Sequence, residues 1–246
     1  MQYISQKDLN QAGHEGFVTV IAQNALNQSS LVIACDGNGR NPSSKTPQAV
    51  DNNIGTVHGA YTVLETLGFG FFHPLIPLIP DSFPDSDSIK LGKHIETPYW
   101  RIRAWHYHTE HPLELQDVLN GFNASQDNIG YFESWEEMLP DLDSFLEWLV
   151  ANGQNRLEFI PLWAEEWGDY AVSSSRQSKF KKMASMAHEF GLFFGADVPI
   201  AEEQQHGWYM TTTNGTLKDQ QNRIKQHIDW LYDAGKCLDT KWCQPP

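Results

Sequence analysis

The chain has 246 residues, 40% of them apolar and 12% aromatic, enough for one large core or two modest ones, which excludes a disordered chain. It carries 31 acidic and 17 basic residues, a formal charge of −14 that repels nucleic acid and anionic membranes. No apolar run approaches the length of about 18 residues that a spanning helix needs.

Neither nucleic acid nor membrane is therefore an expected partner. The densest basic group, Arg176 with Lys179, Lys181 and Lys182, has the spacing of a solvated helix face. Residues 1–10 are polar and carry no apolar signal core, so a complete chain is expected in the cytoplasm. If the chain is a piece of a longer protein, an extracellular or periplasmic place is open. Cys35, Cys237 and Cys243 are odd in number and loosely spaced, which is neither a disulfide framework nor a zinc knuckle. Reduced thiols are expected, with pairing of Cys237 and Cys243 as the alternative in an oxidising compartment. Sequons at Asn27, Asn123 and Asn214 are common enough by chance to carry little weight. Nine tryptophans suit either a bulky core or a sugar-facing surface.

Residues 17–22 (FVTVIA) and 31–35 (LVIAC) are short β-branched runs and read as strands. Residues 36–51 are rich in Gly, Pro and Ser and read as a loop. A helix is expected from about Thr56, with Val57, Ala60, Tyr61, Leu64 and Leu67 on one face and Gly68 as its C-cap residue. Residues 69–72 read as a strand, and Pro74, Pro77, Pro80 and Pro84 then confine the chain to a surface. A boundary falls near Pro98, giving a small non-catalytic α/β domain over 1–98 and a second domain over 99–246.

The second domain has a regular rhythm. Residues 99–108 (YWRIRAWHYH), 156–163 (RLEFIPLW) and 192–200 (LFFGADVPI) read as strands. Helical stripes fall at Leu139, Leu142, Phe145, Leu146 and Leu149, then at Phe180, Met183, Ala187 and Phe190, and last at Leu217, Ile224, Ile228 and Leu231. Helix, glycine, apolar strand and polar loop in repetition is the grammar of βα units around a parallel sheet. A (β/α)8 barrel needs about 250 residues, and this region supplies about three units. The expected fold class is therefore α/β: a small α/β domain, then the first three or so βα units of an incomplete TIM (β/α)8 barrel. The alternative is that the N-terminal region covers the open sheet.

His106, His108, Glu110 and His111 form the densest polar cluster. His106 and His108 share one face of a strand, and Trp105 and Tyr107 take the other as packing residues. Such a histidine pair can hold a metal, donate hydrogen bonds to a sugar or carboxylate, or simply bond a loop. Glu165 and Glu166 follow the next strand beside Trp163 and Trp167. An acid next to a ring suits a pyranose, though solvated charge explains the pair equally. Glycosidic cleavage needs two carboxyls about 5–9 Å apart. Glu165 and Asp197, from neighbouring strand ends, are the candidate catalytic pair. Asp197, Glu202, Glu203 and His206 suit one wall of a polar cleft and carry no metal signature. Gly37-Asn38-Gly39 lacks the rest of a dinucleotide fingerprint, and neither a P-loop lysine nor a Gly-x-Ser-x-Gly elbow is present. No cofactor and no resident metal are expected.

Residues 54–80 (IGTVHGAYTVLETLGFGFFHPLIPLIP) place Gly55, Gly59, Tyr61, Leu64, Glu65 and Gly68 in one pattern. In this the chain resembles the multidomain glycoside hydrolases of the α-glucuronidase and β-N-acetylhexosaminidase type. There a small α/β domain precedes a TIM barrel. Residues 98–108 are similar to the stretch that opens the barrel's first strand. Arg103 stands at a sugar-contacting arginine of hexosaminidase-type members, and Ala104 stands where the family has glycine. The resemblance implies the N-terminal portion of an enzyme acting on a glycan or uronic-acid-containing oligosaccharide. Arg103, His106, His108, Trp163 and Glu165 would contribute to a carbohydrate pocket. In the family the catalytic carboxylates lie on or beyond the fourth barrel strand, so the chain is expected to be truncated before them and inactive alone. The alternatives are a non-catalytic carbohydrate-binding or interaction module, and a metal-dependent hydrolase using His106 and His108.

Overall fold

A computed structural model describes residues 4–13, 15–23, 29–35, 54–85, 92–107, 135–159, 161, 172–196 and 215–235. The chain divides into two compact units. One comprises Met1–Arg103, Ser144–Asn155 and Phe190–Leu192, and the other Ala104–Asp143, Arg156–Glu189 and Phe193–Pro246.

The first unit opens with helix α1 (Gln6–Ala12). Ser5 and Asp8 cap it reciprocally: the Ser5 hydroxyl accepts from the Asp8 N–H, and the Asp8 carboxylate accepts from the Ser5 N–H at 2.7 Å. Strands β1 (Phe17–Gln23), β2 (Ser29–Ala34) and β3 (His94–Glu96) form an antiparallel sheet in the order β2-β1-β3. Thr19 lies opposite Ile33 on one side and His94 on the other. Helix α2 (Ile54–Thr66) packs on β1 and β2. Its buried face is Ile54, Gly55, His58, Gly59 and Val63, not the Val57–Leu67 stripe expected from hydrophobicity. The glycines explain the difference. A Cβ on Gly59 would come within 2.6 Å of the Ile33 Cγ2 and 2.9 Å of the Phe17 Cδ2, so the helix approaches the sheet on its small residues. Gly68, at φ +97°, ends the following turn as expected of a C-cap residue. Residues 69–72 are not a strand; only a bridge between Gly70 and Leu78 forms there. Phe72, Ile76, Ile79 and Phe83 of this segment stay exposed.

In the second unit, strands β4 (Ala104–Tyr107), β5 (Arg156–Phe159) and β6 (Phe193–Ala196) form a parallel sheet in the order β4-β5-β6. Helix α3 (Leu139–Ala151), most of which from Ser144 on belongs to the first unit, precedes β5 in sequence; α4 (Ser174–Glu189) joins β5 to β6, and α5 (Leu217–Gly235) follows. Ser173 caps α4: its Oγ accepts from the Arg176 N–H at 3.2 Å. Alternate residues of β5, Leu157 and Phe159, are 1% exposed. Phe159 meets Phe180 of α4 edge-on at 5.5 Å, and Phe180 meets Trp230 of α5 at 5.7 Å. Among the described side chains of α5, His227 and Trp230 are buried, whereas Leu217 and Ile228 of the expected stripe are exposed. Arg176, expected among solvated cations, is fully buried with its guanidinium 5.1 Å from the Phe180 ring centroid.

These strands correct the expected fold class. Among the described residues there are two separate three-stranded sheets, one antiparallel and one parallel, and neither closes. They are not the opening βα units of a TIM barrel, and the barrel-based resemblance to glycoside hydrolases falls with them. A barrel fills its interior with layers of packed, mostly branched apolar side chains. The face of β4-β5-β6 that faces away from Leu157 and Phe159 instead carries His106, Arg156 and Glu158. The residues that carried the resemblance have local packing roles. Gly55 and Gly59 admit α2 to the backbone of Gly16 and the ring of Phe17, and Tyr61 donates to the Glu147 carboxylate at 2.9 Å.

Candidate functional site

Two polar constellations stand out, one in each unit. In the first unit, Glu15 is 5% exposed and adopts φ +59°, which is unusual for a residue other than glycine. Its Oε2 accepts from the Arg103 Nη2 at 3.0 Å and from the Asn155 Nδ2 at 2.7 Å. Asn155 also donates to the Arg101 carbonyl and accepts from the Arg103 N–H, both at 2.8 Å. The Arg103 guanidinium is engaged further by the Trp100 carbonyl at 2.8 Å and by the Gly153 carbonyl. His58 is buried, and its Nε2 lies 3.1 Å from the Gln154 carbonyl, which favours the tautomer with the proton on Nε2. Burial pushes the His58 pKa below the ordinary histidine value, with the Gln154 carbonyl acting against that shift. This arrangement fastens the segment before β4 to the segment before β5. An arginine committed to two carbonyls and a carboxylate has its guanidinium directed at the protein itself.

The second constellation lies on the parallel sheet. Register pairs Ala104 with Arg156 and Phe193, and His106 with Glu158 and Gly195. Laterally paired residues share a face, so His106, Arg156 and Glu158 project on the side away from Leu157, Phe159 and Phe180. His106 is exposed. The Arg156 and Glu158 side chains are 17% and 33% exposed, and the Arg156 Nη1 donates to the Glu158 Oε1 at 3.2 Å. The guanidinium carbon also sits 5.8 Å from the Phe193 ring centroid, so apolar and ionic contacts hold the arginine on the same face. Gly195 completes the row, where an added Cβ would meet the Glu158 Cγ at 3.6 Å, ordinary van der Waals contact. An imidazole, a guanidinium and a carboxylate side by side can bind an anion, orient it and exchange a proton with it.

Arg103 lies in the first constellation and His106 in the second. His108, Trp163, Glu165 and Asp197 lie outside the described residues. In sequence, His108 follows the last residue of β4 and Asp197 the last residue of β6. Arg156 and Glu158 went unrecognised in the sequence, although the alternation Arg-Leu-Glu-Phe within an expected strand is itself the signal of a two-sided strand. Among the described residues no group of three or more His, Cys, Asp and Glu side chains is placed to hold a metal. Among those residues the metal-dependent hydrolase built on His106 and His108 finds no support. The absence of a barrel removes the glycoside-hydrolase portion and the carbohydrate-binding module that shared its rim. No family model, curated protein or solved structure matches this chain.

Proposed function

We propose that the protein binds a small acidic molecule on the polar face of β4-β5-β6, with Arg156 as the anchor and His106 and Glu158 as a proton-donating and proton-accepting couple. The observation that carries this reading is the presence of three ionisable side chains on one face of a parallel sheet. Parallel strands are ordinarily apolar on both faces, so three ionisable side chains on one of them depart from the usual pattern. Ligands of open α/β sheets gather at the carboxyl ends of the strands, and His106 sits one residue from the end of β4. The overall charge of −14 disfavours anions in general, so affinity must come from the local cations and must fall with salt.

Calorimetric titration of the full chain with acetate, malate and inorganic phosphate tests the reading. Saturable binding of at least one anion is expected, weakened tenfold or more in Arg156→Met. Glu158→Gln removes the carboxylate that competes for the guanidinium and is expected to tighten the same anion several-fold. Binding that is absent from all three titrations, or indifferent to both substitutions, refutes the proposal.

A further inference from the structure

The antiparallel unit contains a cleft of about 370 Å³ lined by Thr19, Thr62, Val63, Thr66, Gly92, Lys93 and His94. That volume lies at the small end of the range of ligand sites, about 300–1,000 Å³. Its position follows from the packing. Helix α2 covers β1 and β2, so the third strand, β3, is left beside the second half of the helix rather than beneath it. Thr19 forms the floor, because it shares a face with Phe17 and lies opposite His94 in the register. Thr62 and Thr66 come from one wall, a helical turn apart, and Lys93 and His94 from the other.

The hydrogen-bonding capacity of each wall is fixed by contacts outside the cleft. The Thr62 hydroxyl donates to the His58 carbonyl at 3.1 Å and the Thr66 hydroxyl to the Thr62 carbonyl at 2.9 Å. Their hydrogens are committed to the helix, which leaves oxygen lone pairs as acceptors. The other wall supplies the Lys93 ammonium as a donor, its charge already paired with Asp8, while the His94 Nε2 lies 3.2 Å from the Glu96 carboxylate. Thr19 is 3% exposed and lines the cleft, and its hydroxyl is not among the buried polar atoms left without a partner, so it is open to whatever fills the cleft. A hydroxyl facing a cleft can donate one hydrogen bond and accept others from a polar group that enters beside it.

We infer that this cleft binds a small uncharged molecule carrying hydrogen-bond donors on one edge and an oxygen acceptor on the other, of the amide or polyol class. Its donor edge meets Thr62 and Thr66, its acceptor meets Lys93, and one polar group reaches the Thr19 hydroxyl. The Lys93 ammonium, already paired with Asp8, makes a charged ligand the poorer fit. The site is separate in residues and in unit from the parallel-sheet face, so either can fail without the other.

The test is a backbone-amide NMR titration of the full chain with acetamide and with glycerol, and with acetate as the charged counterpart. Saturable millimolar shifts at Thr19, Thr62, Thr66 and His94 are expected from a neutral probe. The two neutral probes decide between amide and polyol. Thr19→Val keeps the shape and β-branching of the strand residue and is expected to weaken the neutral probe at least fivefold. Thr66→Val, at an exposed helix position, serves where Thr19→Val does not fold. Overturning results are an absence of saturable shifts from both neutral probes, stronger shifts from acetate, or an affinity unchanged in a folded variant.

Discussion

Asn155 is the most informative single position for the fold. It is 4% exposed and makes hydrogen bonds of 2.7 and 2.8 Å as donor to Glu15 and the Arg101 carbonyl, and one of 2.8 Å as acceptor from the Arg103 N–H. Asn155→Ala strands the Arg103 N–H, at about 1–3 kcal/mol, and deprives a buried carboxylate of one charge-assisted bond, at about 1.5–3 kcal/mol. Arg101 is exposed, so water compensates its carbonyl. The expected loss is about 3 kcal/mol, a large fraction of the roughly 5–15 kcal/mol that holds a native protein together. For a chain of this size that corresponds to a melting temperature lower by roughly 6–12 °C. Urea unfolding followed by circular dichroism reads it directly. Gln154→Ala is the control, because that side chain reaches only the Asn152 carbonyl at 3.3 Å and should cost less than about 0.5 kcal/mol. Asn155→Asp places a second carboxylate against Glu15, and its deficit relative to wild type should shrink at pH 4.5. An Asn155→Ala variant within about 0.5 kcal/mol of wild type refutes the reasoning, since the network it depends on would then be absent.

Gly59→Ala should destabilise despite a helix-propensity gain of about 1 kcal/mol, because overpacking against Ile33 at 2.6 Å and Phe17 at 2.9 Å costs about 1–3 kcal/mol. A stabilised Gly59→Ala would mean that α2 does not lie on the sheet as described. Stability should also fall as pH drops from 6.5 toward 4. The pKa of His227 is lowered from 6.5 to about 4 by burial and then by Arg223, and His58 shifts the same way, again chiefly through burial. The unfolded chain binds these protons first, so the slope of stability with pH is positive in that window. His227→Gln should flatten it in denaturant titrations across pH, and an unchanged slope contradicts the assignment. Asp8 acts in a separate range: its pKa is lowered to about 2, first by Lys93, so its contribution holds above 3.8 and fades only as pH approaches 2.

The parts of the fold that periodicity could reveal are those fixed by neighbours in sequence. Leu142, Phe145, Leu146 and Leu149 of α3, and Phe180, Met183 and Ala187 of α4, are buried as their spacing implied. Gly153 and Gly191 take φ of +71° and +79° just past those helices. The division of β4 into a His106 face and a Trp105 face followed from the two-residue period. What remained hidden depends on distant partners. Strand β3 has three residues, too short for any alternation to register, and its neighbour β1 lies far away in sequence. The family resemblance singles out Arg103, and its carboxylate partner Glu15, 88 residues away, is not legible in sequence. The face α2 buries was misread because glycines, which score as neither apolar nor polar, make the contact. The barrel expectation failed for a general reason: helix, glycine and apolar strand in alternation specify parallel pairing, while closure depends on strands and layers that no local pattern encodes.

The most direct test of the central claim is the ring resonances of His106 in protein labelled at histidine, followed through an anion titration of wild type and Arg156→Met. A ligand seated on the polar face of β4-β5-β6 should shift the His106 ring saturably in the wild type, and the same titration should leave it unmoved in the variant. A His106 ring that stays silent in the wild type while anions bind elsewhere contradicts the account.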